Sequence, residues 1–113
     1  MIGEISVVEL KAKFDKGEEV VLLDCREKEE WEAMRMAQSV LVPLSDFDHG
    51  IEELESKGVI SKQTPVVIHC RSGKRSMKAC QVLGERGYTH LSNLEGGILA
   101  WSLEGFPIEG EDA

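Results

Sequence analysis

The sequence predicts an α/β protein built on a mainly parallel central sheet with helices on both faces. Two short apolar runs, Val20-Val21-Leu22-Leu23 and Pro65-Val66-Val67-Ile68, lack the alternating polar residues of a half-solvated strand and suit strands covered on both sides. Elsewhere apolar residues recur at helical spacing, bounded by capping residues and glycines. Strands that alternate with helices are joined by crossovers, which is the connection a parallel sheet requires.

The elements follow in order. Ser6-Val7-Val8-Glu9 has the Ser-x-x-Glu form of a capping box, Val7, Leu10 and Phe14 share one helical face, and Gly17 is the stop. Val20 to Leu23 is a strand that runs out at Asp24-Cys25-Arg26, with Asp24 and Arg26 on one side and Cys25 on the other, directed into packing. Glu27 to Met34 forms a short helix on which Glu27, Glu29, Glu30 and Glu32 read as a solvated acidic face. Val40 to Val42 is a strand that Pro43 terminates.

Ser45 and Asp46 offer caps for a helix carrying Phe47, Ile51 and Leu54, closed by Gly58. The strand Pro65 to Ile68 leads into His69 and Cys70. Ser76 to Arg86 is the next helix, with Ala79, Cys80 and Leu83 inward and Gly87 past its end. Thr89 to Leu94 is a further strand, Gly96-Gly97 a tight turn, and Gly97 to Leu103 a last helix before the Gly105-Phe106-Pro107 exit. Trp31 and Trp101 read as core or pocket-wall aromatics. One domain over residues 1–113 is expected, since that length supports a single core.

Charge narrows the partners. The net charge of -8, from 21 acidic against 13 basic side chains, argues against nucleic acid and against an anionic membrane surface. The basic cluster from Arg71 to Lys78 is a local exception, and a positive pocket on an acidic protein suits a small anionic ligand. Three cysteines at 25, 70 and 80 give an odd count without paired spacing, so neither a disulfide framework nor a metal site is expected, and a reducing, cytoplasmic setting is. The first residues lack a basic region followed by an apolar core, and the longest apolar runs are too short to span a bilayer.

The chemistry concentrates at His69-Cys70-Arg71-Ser72-Gly73-Lys74-Arg75-Ser76. A cysteine between an interior strand and a basic, glycine-containing turn that opens a helix meets backbone N–H groups, the helix dipole and three cations, Arg71, Lys74 and Arg75. Each lowers a thiol pKa, and the thiolate is the attacking form. In a parallel α/β sheet ligands gather at the carboxyl ends of strands, where Cys70 sits. The alternative of a buried core thiol fits poorly with three neighbouring cations.

Four segments in order carry a family resemblance: Val21-Leu22-Leu23-Asp24-Cys25-Arg26-Glu27 with Glu30-Trp31, then Val42-Pro43-Leu44, then Cys70-Arg71-Ser72-Gly73-Lys74-Arg75-Ser76, then Asn93-Leu94-Glu95-Gly96-Gly97-Ile98-Leu99-Ala100-Trp101. Over nearly its full length the chain resembles a single-domain rhodanese, a thiosulfate sulfurtransferase-like protein. That resemblance implies the rhodanese-like fold and a Cys70 that cycles between thiolate and persulfide. Sulfane sulfur would pass from thiosulfate or a similar anionic donor to cyanide or a thiol, including thioredoxin-like proteins, with no cofactor or metal. The N–H groups from Arg71 through Ser72, Gly73 and Lys74 to Arg75 would surround the transferred sulfur, and the three cations would hold the donor's sulfonate end.

Two other readings remain open at this stage. Phosphatases and arsenate reductases of the same fold use a cysteine loop closed by arginine, but theirs is one residue longer than the six residues from Cys70 to Arg75. A sulfur-carrier or regulatory domain that works through a protein partner is equally compatible with the motifs. Within the family the Asp24–Arg26 pair is mainly structural. Cys80 is expected as an inert buried cysteine in preference to a resolving thiol, and His69 as a packing or hydrogen-bonding residue in preference to a base. The chain departs from its family at Met34-Arg35-Met36-Ala37-Gln38-Ser39, where relatives carry a Gly-His-Ile-Pro-Gly-Ala run. Met34, Arg35 and Met36 there suggest an apolar, basic-tipped patch for a partner.

Overall fold

The computed structural model describes residues 2–113. The five strands are β1 (Ile2–Ile5), β2 (Val21–Asp24), β3 (Ser39–Leu41), β4 (Val66–His69) and β5 (Leu91–Leu94). They form one sheet in the order β1-β5-β4-β2-β3, and every pairing is parallel. The helices are α1 (Val7–Asp15), α2 (Lys28–Ala33), α3 (Phe47–Ser56), α4 (Lys74–Glu85) and α5 (Gly97–Leu103). This is the expected α/β architecture.

Adjacent strand residues feed opposite cores, as a sheet covered on both faces demands. Leu23, Val66 and Ile68 pack with Phe47, Ile51, Ala79 and Leu83 of α3 and α4. Leu22 and Val67 pack on the other face with Leu10, Ile98 and Trp101 of α1 and α5. Trp101 is the largest fully buried side chain; Phe14 and Phe106 meet it edge-on, and its Nε1–H donates to Pro107 O at 2.8 Å. The Ser6–Glu9 capping box forms as read, with reciprocal bonds of 3.1 and 3.0 Å.

Strand β1 has no counterpart in the sequence reading. Its register, Ile2 with Leu91 through Ile5 with Leu94, places it at the sheet edge, and only its last residue is buried. An edge strand with Gly3 and Glu4 carries too little apolar signal to stand out. Other differences concern element ends: β5 starts at Leu91 and α4 at Lys74, two residues before Ser76. Of the two offered caps, Asp46 occupies the N-cap position of α3, without a side-chain hydrogen bond to the helix backbone. A 3-10 turn over Leu44–Asp46 precedes it, and the Ser45 hydroxyl donates to Glu27 Oε1 at 2.7 Å.

The departing segment does not expose Met36, which the apolar patch expected there requires. Met36 is fully buried, Met34 packs against the same core, and Arg35 lies over the Trp31 ring at 4.3 Å. Arg35 and Glu109 exchange two backbone hydrogen bonds of 2.8 Å, so the C-terminal segment closes as a short antiparallel bridge over this stretch. Gly110, at φ +123°, allows the approach, because a Cβ there would overlap the Ala33 carbonyl. The C-terminal segment thus pins this turn from outside.

Candidate active site

Strand β4 is the middle strand, and Cys70 follows its carboxyl end. The chain turns over residues 70–75 into α4 because Gly73 adopts φ +115°, open to glycine and strained for other residues. The Gly73 N–H then donates to Cys70 Sγ at 3.1 Å. The sulfur therefore sits at the amino end of a twelve-residue helix, where the dipole favours an anion.

Two further side chains reach the sulfur. The Ser76 hydroxyl lies 3.4 Å from Sγ and also donates to Asn93 Oδ1. Asn93 is fixed in turn, its amide donating to Glu4 Oε2 and to Gly73 O at 3.2 Å each. The one Ser76 hydrogen faces two acceptors, and ionisation of Cys70 makes sulfur the stronger. The second is Cys25. Asp24 pairs with His69 in the β2–β4 ladder, the Cys25 N–H donates to His69 O at 3.0 Å, and Cys25 and Cys70 occupy the next step.

The Cys25 thiol beside Cys70 is the largest influence lowering the Cys70 pKa. Burial opposes it, Ser76 and Gly73 reinforce it, and the thiol is brought down to about 4. The neighbouring Cys70 anion, followed by burial, pushes Cys25 far upward. The pair therefore carries one negative charge, and it resides on Cys70. Cys80, raised to about 12 by burial and then by Glu4, remains a neutral core thiol as expected.

The acidic helix face is where the sequence reading needs correction. Glu30 reaches across to Arg75 in a bidentate pair of 2.7 and 2.8 Å, and Glu27 bonds to Ser45. Arg75 holds the Glu30 carboxyl at about 2. Of that cluster, Glu29 and Glu32 remain solvated. Among the loop cations Arg75 is thus engaged by Glu30, while Arg71 and Lys74 are exposed and form no ion pair among the described residues. Ser72 is exposed between them.

Asp24 and Arg26 form the expected structural pair, Arg26 Nη2 lying 2.8 Å from Asp24 Oδ2 and donating also to Met34 O at 2.6 Å. His69 is fully buried with Nδ1 3.3 Å from Cys70 O, and desolvation lowers its pKa, so it packs there as a neutral ring. The Gly96-Gly97 turn does more than enter a helix. Ile98 and Leu99 donate backbone N–H groups to Cys70 O and Arg71 O at 3.0 and 3.2 Å, and a Cβ on Gly97 would overlap both carbonyls. Helix α5 is therefore the wall against which the loop is set.

Cys25, Asn93, Glu4 and Gly97 were not read from the sequence as neighbours of Cys70. One signal was present for Cys25: it and Cys70 each follow directly on the end of a buried parallel strand. The other three depend on β5, and the α5 that follows it, lying beside β4 and on β1 lying beside β5. The assembled site offers an ionised sulfur at the amino end of a helix, in a loop whose Arg71 and Lys74 are exposed. That is a nucleophile for electrophilic sulfur and a seat for a small anion.

The model for the rhodanese-like domain family matches residues 6–104. YtwF of Bacillus subtilis, provisionally named a sulfurtransferase, is 39% identical over 94% of this chain and 96% of its own length. A sulfurtransferase of Allochromatium vinosum is 35% identical over 96% of this chain and 95% of that protein. YrkF of Bacillus subtilis, provisionally named a sulfur carrier protein, is 31% identical over 89% of this chain and 51% of itself. Among solved structures, the rhodanese-like domain of Anabaena Alr3790 superposes with a TM-score of 0.85 at 23% identity, covering 99% of this chain and 82% of that one. With fold, motif order and relatives in agreement, the chain belongs to the rhodanese-like domain family of sulfurtransferases.

Proposed function

We propose that Cys70 carries a sulfane sulfur as a persulfide, taken from thiosulfate or a similar anionic donor and passed to cyanide or a thiol. The observation that carries this reading is the position of Cys70 Sγ, ionised and 3.1 Å from the Gly73 N–H, in a loop of six residues. Thiolate attack on the outer sulfur of thiosulfate forms the S–S bond and expels sulfite with the bonding electron pair. The loop N–H groups from Arg71 to Arg75 then stabilise the persulfide anion as oxyanion-hole donors stabilise oxygen. Arg71 and Lys74 draw the dianionic donor to the site, and Arg75, braced by Glu30, holds the end of the loop.

The test is intact-mass spectrometry after brief exposure to thiosulfate. The native chain gains one sulfur that cyanide removes, and Cys70→Ser gains none. Sulfur found on Cys25 or Cys80 would overturn the assignment. Absence of aryl phosphate hydrolysis in the same preparation is expected, because the short loop lacks room for a tetrahedral oxyanion.

A second reading, a sulfur carrier served by a protein partner, draws support from the match to about half of YrkF. It predicts the same loading with a thiol protein such as a thioredoxin-like acceptor discharging it faster than cyanide. Three unpaired cysteines suit a reducing, cytoplasmic setting, and no helix among the described residues is long and apolar enough to cross a membrane.

A further inference from the structure

The persulfide chemistry proposed for Cys70 does not employ Cys25, yet Cys25 is the thiol placed against it. The two residues extend the β2–β4 ladder by one in-register step, and both side chains belong to the same buried cluster on one face of the sheet. Register partners on neighbouring strands lie about 4.7–4.9 Å apart. A disulfide accepts Cα separations of about 4.4–6.8 Å. The backbone thus brings the two positions into the range for a Cys25–Cys70 bond, and both side chains are buried in the same cluster on one face of the sheet.

We propose that Cys25 is a resolving thiol that discharges a Cys70 persulfide internally, forming the Cys25–Cys70 disulfide and releasing the sulfane sulfur as hydrosulfide. The inference rests on the persulfide reading of Cys70. Cys25 sulfur attacks Cys70 Sγ, the bond between Sγ and the outer sulfur breaks, and its electron pair leaves with the outer sulfur. The Cys25 proton goes to that sulfur, which departs from the persulfide anion as hydrosulfide. The sulfane sulfur is reduced, the two cysteines are oxidised, and no external oxidant enters. A dithiol reductant then restores both thiols by exchange and is itself oxidised to a disulfide.

The resting enzyme restrains this step. While Cys70 is an anion, its charge keeps the proton on Cys25, and that influence leads burial in raising the Cys25 pKa. Once Cys70 Sγ is bonded to the incoming sulfur it no longer bears the charge, so the principal restraint is lifted by loading itself. The reaction therefore begins only after a donor has reacted. External thiols compete for the same sulfur, and hydrosulfide release dominates when they are scarce. The further activity assigned to the site is conversion of a sulfane donor to hydrosulfide at the expense of a dithiol.

The experiment uses the full chain, fully reduced and freed of reductant under anaerobic conditions, then mixed with thiosulfate and followed by intact mass and sulfide release. The native chain is expected to gain one sulfur transiently and then to become two hydrogens lighter than the reduced protein, with one hydrosulfide per chain and a mapped Cys25–Cys70 bridge. Cys25→Ala and Cys25→Val are expected to stop at the persulfide, releasing at least tenfold less sulfide, while Cys80→Ala behaves as native. A native chain that keeps its added sulfur and forms no bridge overturns the resolving role and leaves the persulfide reading standing. Failure of both the native chain and the Cys25 variants to gain sulfur overturns the persulfide reading itself.

Discussion

The ionisation of Cys70 can be tested by lowering the pH during alkylation. With the thiol at about 4, roughly 99% is ionised at pH 6. An ordinary cysteine near 8.5 is only about 0.3% ionised there, a difference of about 300-fold in the reactive form. The rate of iodoacetamide modification at Cys70, read by mass after short exposures, should therefore stay nearly level from pH 8 to about 5 and fall only toward 4. Cys25→Ala removes the leading influence on that value. A hydrogen bond to a charged group contributes about 1.5–3 kcal/mol, and each pKa unit is about 1.36 kcal/mol. Because S–H is a weak donor the lower end applies, and the midpoint should rise by about one unit. A native rate that falls tenfold per pH unit from 8 downward would refute the electrostatic account. An unchanged midpoint in Cys25→Ala would remove Cys25 from it.

Stability should report the same ionisation. The folded pKa of Cys70 lies below its unfolded value, so its contribution is complete above about pH 8.5 and is lost as pH falls toward about 4. The difference in urea midpoint between the native chain and Cys70→Ala should shift in favour of the variant across that window, with other titrating groups cancelling. Glu30→Gln, which breaks the bidentate bond to Arg75, should lower stability by about 0.5–1 kcal/mol in urea titrations at low salt, since both partners are about a third exposed. No change would show the pair to be incidental. Gly97→Ala combines φ +55° with overlap of two carbonyl oxygens, so a loss of about 2–3 kcal/mol is expected, together with slower Cys70 alkylation at pH 6. Unaltered alkylation would mean that α5 does not set the loop.

Much of the architecture was legible because local rules and tertiary structure agree. Val21 to Leu23 and Val66 to Ile68 are apolar on both faces, and a strand buried on both sides permits little else. Ser6 and Glu9 specify a helix start through reciprocal bonds that need no distant partner. The edge strand β1 escaped detection because its order comes from hydrogen bonds to β5, which leave no pattern in Gly3 and Glu4. The turn at Met34 to Ser39 depends likewise on a bridge to Glu109, far along the chain.

By itself the sequence determined that a thiol at position 70 would end an interior strand and begin a helix beneath cations, since those features are contiguous and act over a few residues. Only the tertiary structure decided what completes the site. Strand order brings Cys25 and Asn93 to Cys70 from either side, and a carboxylate from α2 engages Arg75. The physical reason is range: propensity and helix dipoles are set by neighbours in the chain, whereas hydrogen-bond partners 17 and 45 residues apart are chosen by packing.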